Sequence, residues 1–133
     1  MPPSRELIPG AKVLGSAPLA GMILYGRGVL AEYVVVPAEN VVLKPERMGW
    51  EEAAGLPATG LAAPPVMDLA RVKKRERVLV NGASGGIGIS VVQMAKQAVG
   101  EEGTVVAVCS GRNKGMVKGL GADEVSLLMR SDV

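Results

Sequence analysis

Four glycines between residues 82 and 88 are the strongest chemical signal in this chain of 133 residues. They occur in the segment RVLVNGASGGIG, directly after an apolar run at residues 78–80 that predicts a buried strand. Glycines at this spacing permit a tight turn and a close approach of the backbone, and the helix that follows directs its free N–H groups at an anion. The segment therefore predicts a phosphate-binding corner, and a glycine-rich turn without a ligand is the alternative.

The residues after the next apolar run indicate which ligand would fit. Proteins that bind NAD usually have an Asp or Glu about 20 residues past the glycines, where it hydrogen-bonds the ribose 2′-hydroxyl. This chain has Ser110, Arg112 and Asn113 there instead. A guanidinium offers a planar fork of donors that matches phosphate oxygens. The 2′-phosphate dinucleotide NADP(H) is therefore favoured over NAD(H), and a solvated basic loop is the alternative.

The elements that position these residues are predicted from hydrophobic periodicity. Apolar residues recur on one helical face between Gly88 and Gly100, and residues 104–109 form a second buried strand in which Cys109 is a small core residue. A strand, a glycine turn, a helix and a strand within about 30 residues are typical of a Rossmann unit. A third strand is predicted at residues 124–128.

The predicted sheet is small for its type. From Arg77 to Val133 the chain has room for about two crossover units of roughly 30 residues each. Apolar faces and an edge are then uncovered unless a partner chain or further sequence covers them. We therefore expect that the chain is part of a larger enzyme and that it forms a homo-oligomer.

The first half of the chain has a different pattern. Residues 29–37 and 40–43 are rich in β-branched side chains and predict two short strands, after an irregular β region punctuated by glycine and proline. Residues 50–56 predict a helix that Pro57 interrupts. The proline pair at residues 64 and 65 predicts that a new helix begins near residue 65 and runs to about residue 72.

Composition argues against several kinds of partner. The net charge of +2 is too small to indicate a nucleic-acid-binding surface, and no apolar run reaches the length of a membrane span. One cysteine and no histidine exclude a zinc site built from several Cys and His ligands. The expectation is a cytoplasmic protein without a metal. No residue is predicted to be catalytic, and Tyr33 is interpreted as a packing residue within a strand.

Three segments occur in order and at ordinary spacing: GVLAEYVVVPAENVVLKPERMGWEEAAGLPATGLAA, VLVNGASGGIGISVVQMAKQ and VCSGRNKGMVKGLGADEV. Together they resemble the medium-chain dehydrogenase/reductase superfamily, specifically its zinc-free, quinone-oxidoreductase-like branch. The resemblance implies an α/β fold, with a remnant of a β-rich, GroES-like domain at residues 1–56 and part of a Rossmann domain, a doubly wound parallel sheet, at residues 57–133. It also implies NADPH as the cofactor and a small-molecule quinone, enone or related carbonyl compound as the hydride acceptor.

The resemblance also assigns roles to single positions. Following Gly82, which opens the turn, the residues expected around the pyrophosphate are Ser84, Gly85, Gly86 and Ile87. Those expected around the adenosine 2′-phosphate are Ser110, Arg112 and Asn113, and Thr59 matches the segment beside the nicotinamide. Two features depart from the family: the proline pair, where relatives have an unbroken helix, and Arg75, where relatives tend to have a glycine.

Two other interpretations compete with this one. The spacing of Gly82, Gly86 and Gly88 also fits short-chain reductases, but those enzymes begin with the glycine motif and carry Tyr-x-x-x-Lys, which this chain lacks. A non-catalytic nucleotide-binding or interaction module derived from a reductase remains open. Turnover by this chain alone is not expected, and its detection would exclude that module.

Overall fold

The structure is a computed structural model that describes residues 7–18, 20, 21, 23, 26 and 28–127. Contacts divide the chain into two compact units, Met1–Ala58 and Thr59–Val133. The assignment of residues 1–56 and 57–133 to particular domains stays a prediction. Among the described helices, none combines the length and the apolar character needed to cross a membrane.

The first unit contains a small antiparallel sheet. Strand β1 (Val13–Gly15) pairs with β2 (Val41–Leu43), and a 3₁₀ turn at Ala38–Asn40 leads into β2. The prediction of a strand at residues 40–43 is therefore confirmed for residues 41–43, whereas Asn40 belongs to the 3₁₀ turn.

The other strand prediction in this unit is wrong, because residues 29–37 adopt irregular backbone. Tyr33 and Val35 are 92% and 94% exposed. Strand propensity reflects packing on a pleated surface, and here no such surface covers these side chains. Tyr33 is accordingly not a packing residue.

A single helix, α1 (Trp50–Ala70), runs for 21 residues. The predicted interruption at Pro57 and the predicted new start near Pro65 are both wrong. A proline ring fixes φ near −65°, which is a helical value. Proline therefore removes one backbone hydrogen bond and introduces a steric clash with the preceding turn, but it does not force the backbone out of the helix. At the beginning of α1, Glu52 accepts a hydrogen bond from the N–H of Gly49 at 3.0 Å, as in a capping box.

The second unit contains a three-stranded parallel sheet in the order β3-β4-β5. Its elements are β3 (Arg77–Asn81), α2 (Gly86–Val99), β4 (Thr104–Cys109), α3 (Lys114–Gly119) and β5 (Glu124–Leu127). The predicted strands, the glycine turn and the helix that ends at Gly100 are confirmed. Residue 128, the predicted last residue of the third strand, lies outside the described residues.

Side chains alternate between the two faces of the sheet along each strand, and this alternation determines which residues form the core. Val80 pairs with Ala107, which pairs with Val125, and these side chains lie on the sheet face that packs against α2. The helix contributes buried residues at one face, namely Val92, Ala95 and Val99. Cys109 is 1% exposed, which confirms the prediction of a small core residue.

The opposite face of the sheet is largely uncovered. Leu79 lies on it and is 64% exposed, so the prediction that all of residues 78–80 are buried is wrong for this residue. Successive side chains of a strand point to opposite faces, and only the face of Val78 and Val80 is covered by α2. Across this face, Arg77 donates two hydrogen bonds to Glu124, at 2.9 and 2.6 Å.

Candidate dinucleotide-binding site

The glycine segment forms the corner between β3 and α2. Gly82 has φ of +67°, a left-handed conformation that favours glycine, and its carbonyl accepts a hydrogen bond from the N–H of Gly85 at 2.9 Å. Between them, the N–H of Ala83 donates to the carbonyl of Val108 at 3.0 Å. This bond ties the turn to the carboxyl end of the neighbouring strand β4.

Gly88 sets how closely α2 approaches the turn. A Cβ atom at this position would lie 2.2 Å from the Gly82 carbonyl oxygen and 2.9 Å from Ala83 backbone atoms. Real Cβ atoms do not come this near to backbone, so any larger residue would push the helix away from the strand. Close packing of helix on strand is the role of the last glycine in dinucleotide-binding corners.

The first turn of α2 presents unsatisfied backbone donors. The N–H of Ile89 donates to the carbonyl of Gly85 at 3.0 Å and begins the hydrogen-bonded ladder of the helix. The preceding N–H groups, those of Gly86, Ile87 and Gly88, have no acceptor within the helix. The N-cap residue Gly85 has no side chain that could occupy them. Three amides and the positive end of the helix dipole are thus available to an anion.

Thr59 lies against this corner. A Cβ atom on Gly86 would come within 2.9 Å of the Thr59 Cγ2 atom, so the two residues are in close contact. A groove of about 590 Å³ runs along the second half of α1, β3 and the glycine turn, and Thr59 and Ile87 both line it.

Asn81, the last residue of β3, lines the same groove. It is not among the site residues predicted from the sequence. Its position at the carboxyl end of a strand, directly before the turn, is the signal that could have identified it.

The residues after β4 are joined to the glycine turn by hydrogen bonds. The Asn113 side-chain amide donates to Ser84 Oγ at 2.9 Å and to Ser110 Oγ at 3.2 Å. A 3₁₀ turn, Gly111–Asn113, is closed by the Asn113 N–H, which donates to the Ser110 carbonyl at 2.9 Å. Side chains three residues apart are superimposed in a 3₁₀ turn, which explains why Asn113 returns to Ser110.

Arg112 lies on this same turn and is exposed to solvent. Its neighbours Gly111 and Asn113 are uncharged, and Lys114 follows. The nearest acidic residue downstream, Asp123, is engaged with Lys96 at 2.9 Å. The end of β4 therefore carries a guanidinium, a hydroxyl and an amide with no carboxylate on the turn.

The predicted site residues fall into three groups. The first is the turn and the first helical residues, at 82, 84, 85, 86 and 87. The second is Ser110, Arg112 and Asn113 after β4, of which Asn113 is hydrogen-bonded to Ser84, and the third is Thr59, against Gly86. Their roles toward a cofactor stay predictions. Chemically, the arrangement offers N–H and O–H donors together with one guanidinium. This donor set fits a dinucleotide with phosphate groups at its pyrophosphate and its adenosine ribose.

The chain is similar in sequence to reductases of known type. It is 32% identical to the trans-enoyl reductase poxH of Penicillium oxalicum, and the match covers 90% of this chain and 36% of that protein. It is 42% identical to the chloroplast envelope quinone oxidoreductase homolog of Arabidopsis thaliana, over 75% of this chain and 31% of that protein. No family model matches the chain.

A solved structure shares the fold. The quinone oxidoreductase from Coxiella burnetii superimposes with a TM-score of 0.78 at 32% identity, covering 91% of this chain and 36% of that one. The structures of the quinone oxidoreductase from Thermus thermophilus, which include a complex with NADPH, match with a TM-score of 0.66 at 34% identity, over 76% of this chain and 34% of that one.

The parallel sheet and its glycine corner define an α/β protein with a partial Rossmann domain, preceded by a remnant of a β-rich, GroES-like domain, which confirms the predicted fold class. The chain belongs to the medium-chain dehydrogenase/reductase superfamily, in its quinone-oxidoreductase-like branch. It spans about a third of the length of the relatives it matches, 36% and 31% in the two cases above.

Proposed function

We propose that this chain is the cofactor-binding part of an NADPH-dependent oxidoreductase that transfers hydride to a quinone or to an activated double bond next to a carbonyl. Residues 1–56 are the end of its GroES-like domain, and residues 57–133 are the beginning of its NADP-binding Rossmann domain. The similarity to quinone oxidoreductases and enoyl reductases supports the reaction class. When bound, the nicotinamide cofactor supplies the hydride.

The chain's own residues would hold the cofactor mainly with backbone. The N–H groups of Gly86, Ile87 and Gly88 lack intrahelical acceptors and would donate to the pyrophosphate, as in other helix N-termini that bind phosphate. Gly82 and Gly88 keep the turn tight enough for the phosphates to approach. Thr59, in contact with Gly86, would lie beside the nicotinamide half of the cofactor.

The preference for NADPH rests on one observation above all: the turn after β4 places Arg112 between two residues that are hydrogen-bonded into the site, Ser110 and Asn113. A guanidinium there pairs with a 2′-phosphate. NADH lacks this phosphate and so would gain nothing from Arg112.

The proposed contribution of this chain to the reaction is binding and orientation of the cofactor. Hydride transfer depends on holding donor and acceptor in a reactive geometry. We propose that the chain alone binds NADPH without turning over substrate, and that it self-associates. The second candidate is a non-catalytic nucleotide-binding or interaction module derived from such a reductase.

Titration with NADPH and NADH, followed by cofactor fluorescence or calorimetry, tests the proposal. We expect tighter binding of NADPH. Arg112→Ala should weaken NADPH binding by about 10- to 100-fold, since a hydrogen bond to a charged group contributes about 1.5–3 kcal/mol, and should leave NADH binding unchanged.

Lys118→Ala is the matched control, because Lys118 is an exposed cation on α3 that lies outside the turn after β4. It should change NADPH affinity by less than about twofold, as expected for an exposed charge. Equal affinity for NADPH and NADH, or an equal loss of both in Arg112→Ala, would count against the proposed cofactor.

A further inference from the structure

We propose that Asn113 is a positioning residue: its amide makes no phosphate contact itself but turns the Ser84 and Ser110 hydroxyls into hydrogen-bond donors toward the phosphates of the cofactor. This inference rests on the proposed function, because it concerns the same site. It replaces direct contact between Asn113 and the 2′-phosphate with an indirect role.

The geometry that carries the proposal is a pair of hydrogen bonds from one amide, which we call the clamp. Asn113 Nδ2 lies 2.9 Å from Ser84 Oγ and 3.2 Å from Ser110 Oγ. Ser84 belongs to the turn after β3, whereas Ser110 directly follows β4. One amide group thus joins the two loops at the carboxyl edge of adjacent parallel strands.

The direction of these bonds fixes what the hydroxyls can do. A side-chain amide nitrogen carries two hydrogens, and a serine hydroxyl has one hydrogen and two lone pairs. When each amide hydrogen goes to one serine oxygen, each hydroxyl hydrogen is left for a different acceptor. Among the side-chain hydrogen bonds of the described residues, neither Ser84 nor Ser110 uses its hydroxyl as a donor.

A phosphate is a ligand that needs such donors. Its oxygens at neutral pH accept hydrogen bonds, and hydrogen bonds to an ionised acceptor are about twice as strong as neutral ones. Because the clamp is already formed between protein groups, the two hydroxyls need little reorganisation when the ligand arrives. A carboxylate at position 113 would only accept hydrogen bonds, so both serine hydroxyls would donate to it and would no longer be available as donors to a phosphate.

The clamp can be detected in the free protein by NMR. The two side-chain amide protons of Asn113, identified by their loss in Asn113→Ala, should respond to different substitutions. Ser84→Ala should move one proton upfield and Ser110→Ala the other, because each loses its acceptor. Amide protons that respond to neither substitution would overturn the clamp, whatever the protein binds.

NADPH titration tests the functional role. Asn113→Ala should weaken NADPH binding about tenfold in the wild-type background, and by less than about twofold in the Ser84→Ala/Ser110→Ala background, where the hydroxyls it positions are gone. Equal losses in both backgrounds would show direct contact with the cofactor and overturn the role. Unchanged thermal midpoints, with Gln97→Ala on the exposed face of α2 as the reference variant, separate these effects from unfolding.

Asn113→Asp adds a test of the direction of the bonds. It should weaken NADPH binding more than Gly115→Asp, which places the same charge two residues away where a side chain meets no atom within 4 Å. Equal effects of the two aspartates would overturn the role. A wild-type protein that binds no NADPH would overturn the proposed function together with this role, whereas intact binding with equal losses in both backgrounds overturns the role alone.

Discussion

Arg75 adopts a backbone conformation that favours glycine. It has φ of +69° two residues before β3 begins, and its N–H donates to the Val99 carbonyl at 2.9 Å. Its side chain pairs with Glu102 at the surface. The left-handed conformation costs a residue with a side chain about 1–2 kcal/mol, which glycine avoids.

Arg75→Gly is therefore expected to stabilise the protein. Relief of the left-handed strain, about 1–2 kcal/mol, should exceed the loss of an exposed ion pair, which contributes about 0–1 kcal/mol. Arg75→Ala is the matched control, because it loses the same ion pair and keeps the strain. The free energy of unfolding, measured by urea denaturation, should be about 1 kcal/mol higher for the glycine variant than for the alanine variant. Equal values for the two would contradict the prediction.

Residue types at the site were predictable, whereas the bonds between them were not. Glycine spacing and the absence of an acidic residue identify the corner and the turn after β4 from local sequence alone. The bond from Asn113 to Ser84 joins residues 29 positions apart, so it depends on the register of β3 against β4. Periodicity predicts that two strands exist, but it does not determine which side chains meet at their ends.

At the scale of elements, sequence patterns succeeded where the stabilising contacts are close in sequence. The strands, the turn and the helix of the Rossmann unit pack against one another within about 50 residues, and all were predicted. Residues 29–37 have the composition of a strand, but β1 pairs with β2 and no strand pairs with this segment in the described structure. Helix α1 is the opposite case: its sequence predicts breaks, but the helix is continuous and contains three prolines, Pro57, Pro64 and Pro65.

Asp123 connects three elements of the second unit. Its carboxylate accepts a hydrogen bond from Lys96 of α2 at 2.9 Å and from the Val105 N–H of β4 at 2.8 Å, immediately before β5 begins. The hydrogen bond from Lys96, followed by that from Val105, lowers the pKa of Asp123 below its ordinary value of 3.8. A carboxylate whose pKa is lower in the folded than in the unfolded state stabilises the fold above the unfolded pKa, and this contribution is lost as the pH falls through the folded pKa.

The corresponding prediction concerns Asp123→Asn. At pH 7 the variant should unfold more easily than the wild type by up to about 1 kcal/mol, since it loses a partly exposed ion pair. The difference should begin to narrow as the pH falls below about 4, the ordinary pKa of an Asp in the unfolded chain, and should be lost as the pH falls further through the lowered folded pKa of Asp123. Urea denaturation between pH 3 and pH 7 measures the difference in the free energy of unfolding and its dependence on pH. Asp68→Asn, the same change at an exposed position of α1, should give a difference near zero throughout, and a gap at Asp123 that does not depend on pH would refute the linkage.

At the scale of the whole chain, the second unit has a sheet that is covered on one face. Both outer strands, β3 and β5, have one edge that no described strand pairs with. On the other face, Leu79 is exposed although its neighbour Val106 is buried, and Leu69 of α1 is also exposed. An exposed strand edge beside apolar side chains is a template for association with another chain.

Self-association is therefore the prediction at this scale, and Leu79→Lys is the substitution that tests it. The wild-type chain of 13.7 kDa should sediment above the monomer mass in a concentration-dependent way. Leu79→Lys should shift it toward the monomer, because a charge on an edge strand opposes pairing with another strand. Since Leu79 is already exposed, the substitution should change the free energy of unfolding by no more than about 0.5 kcal/mol.

Leu30→Lys is the matched control, because it introduces the same charge at a fully exposed leucine of the first unit. This variant should sediment like the wild type. A wild-type chain that is monomeric at all concentrations, or an effect of Leu30→Lys as large as that of Leu79→Lys, would contradict association through this sheet.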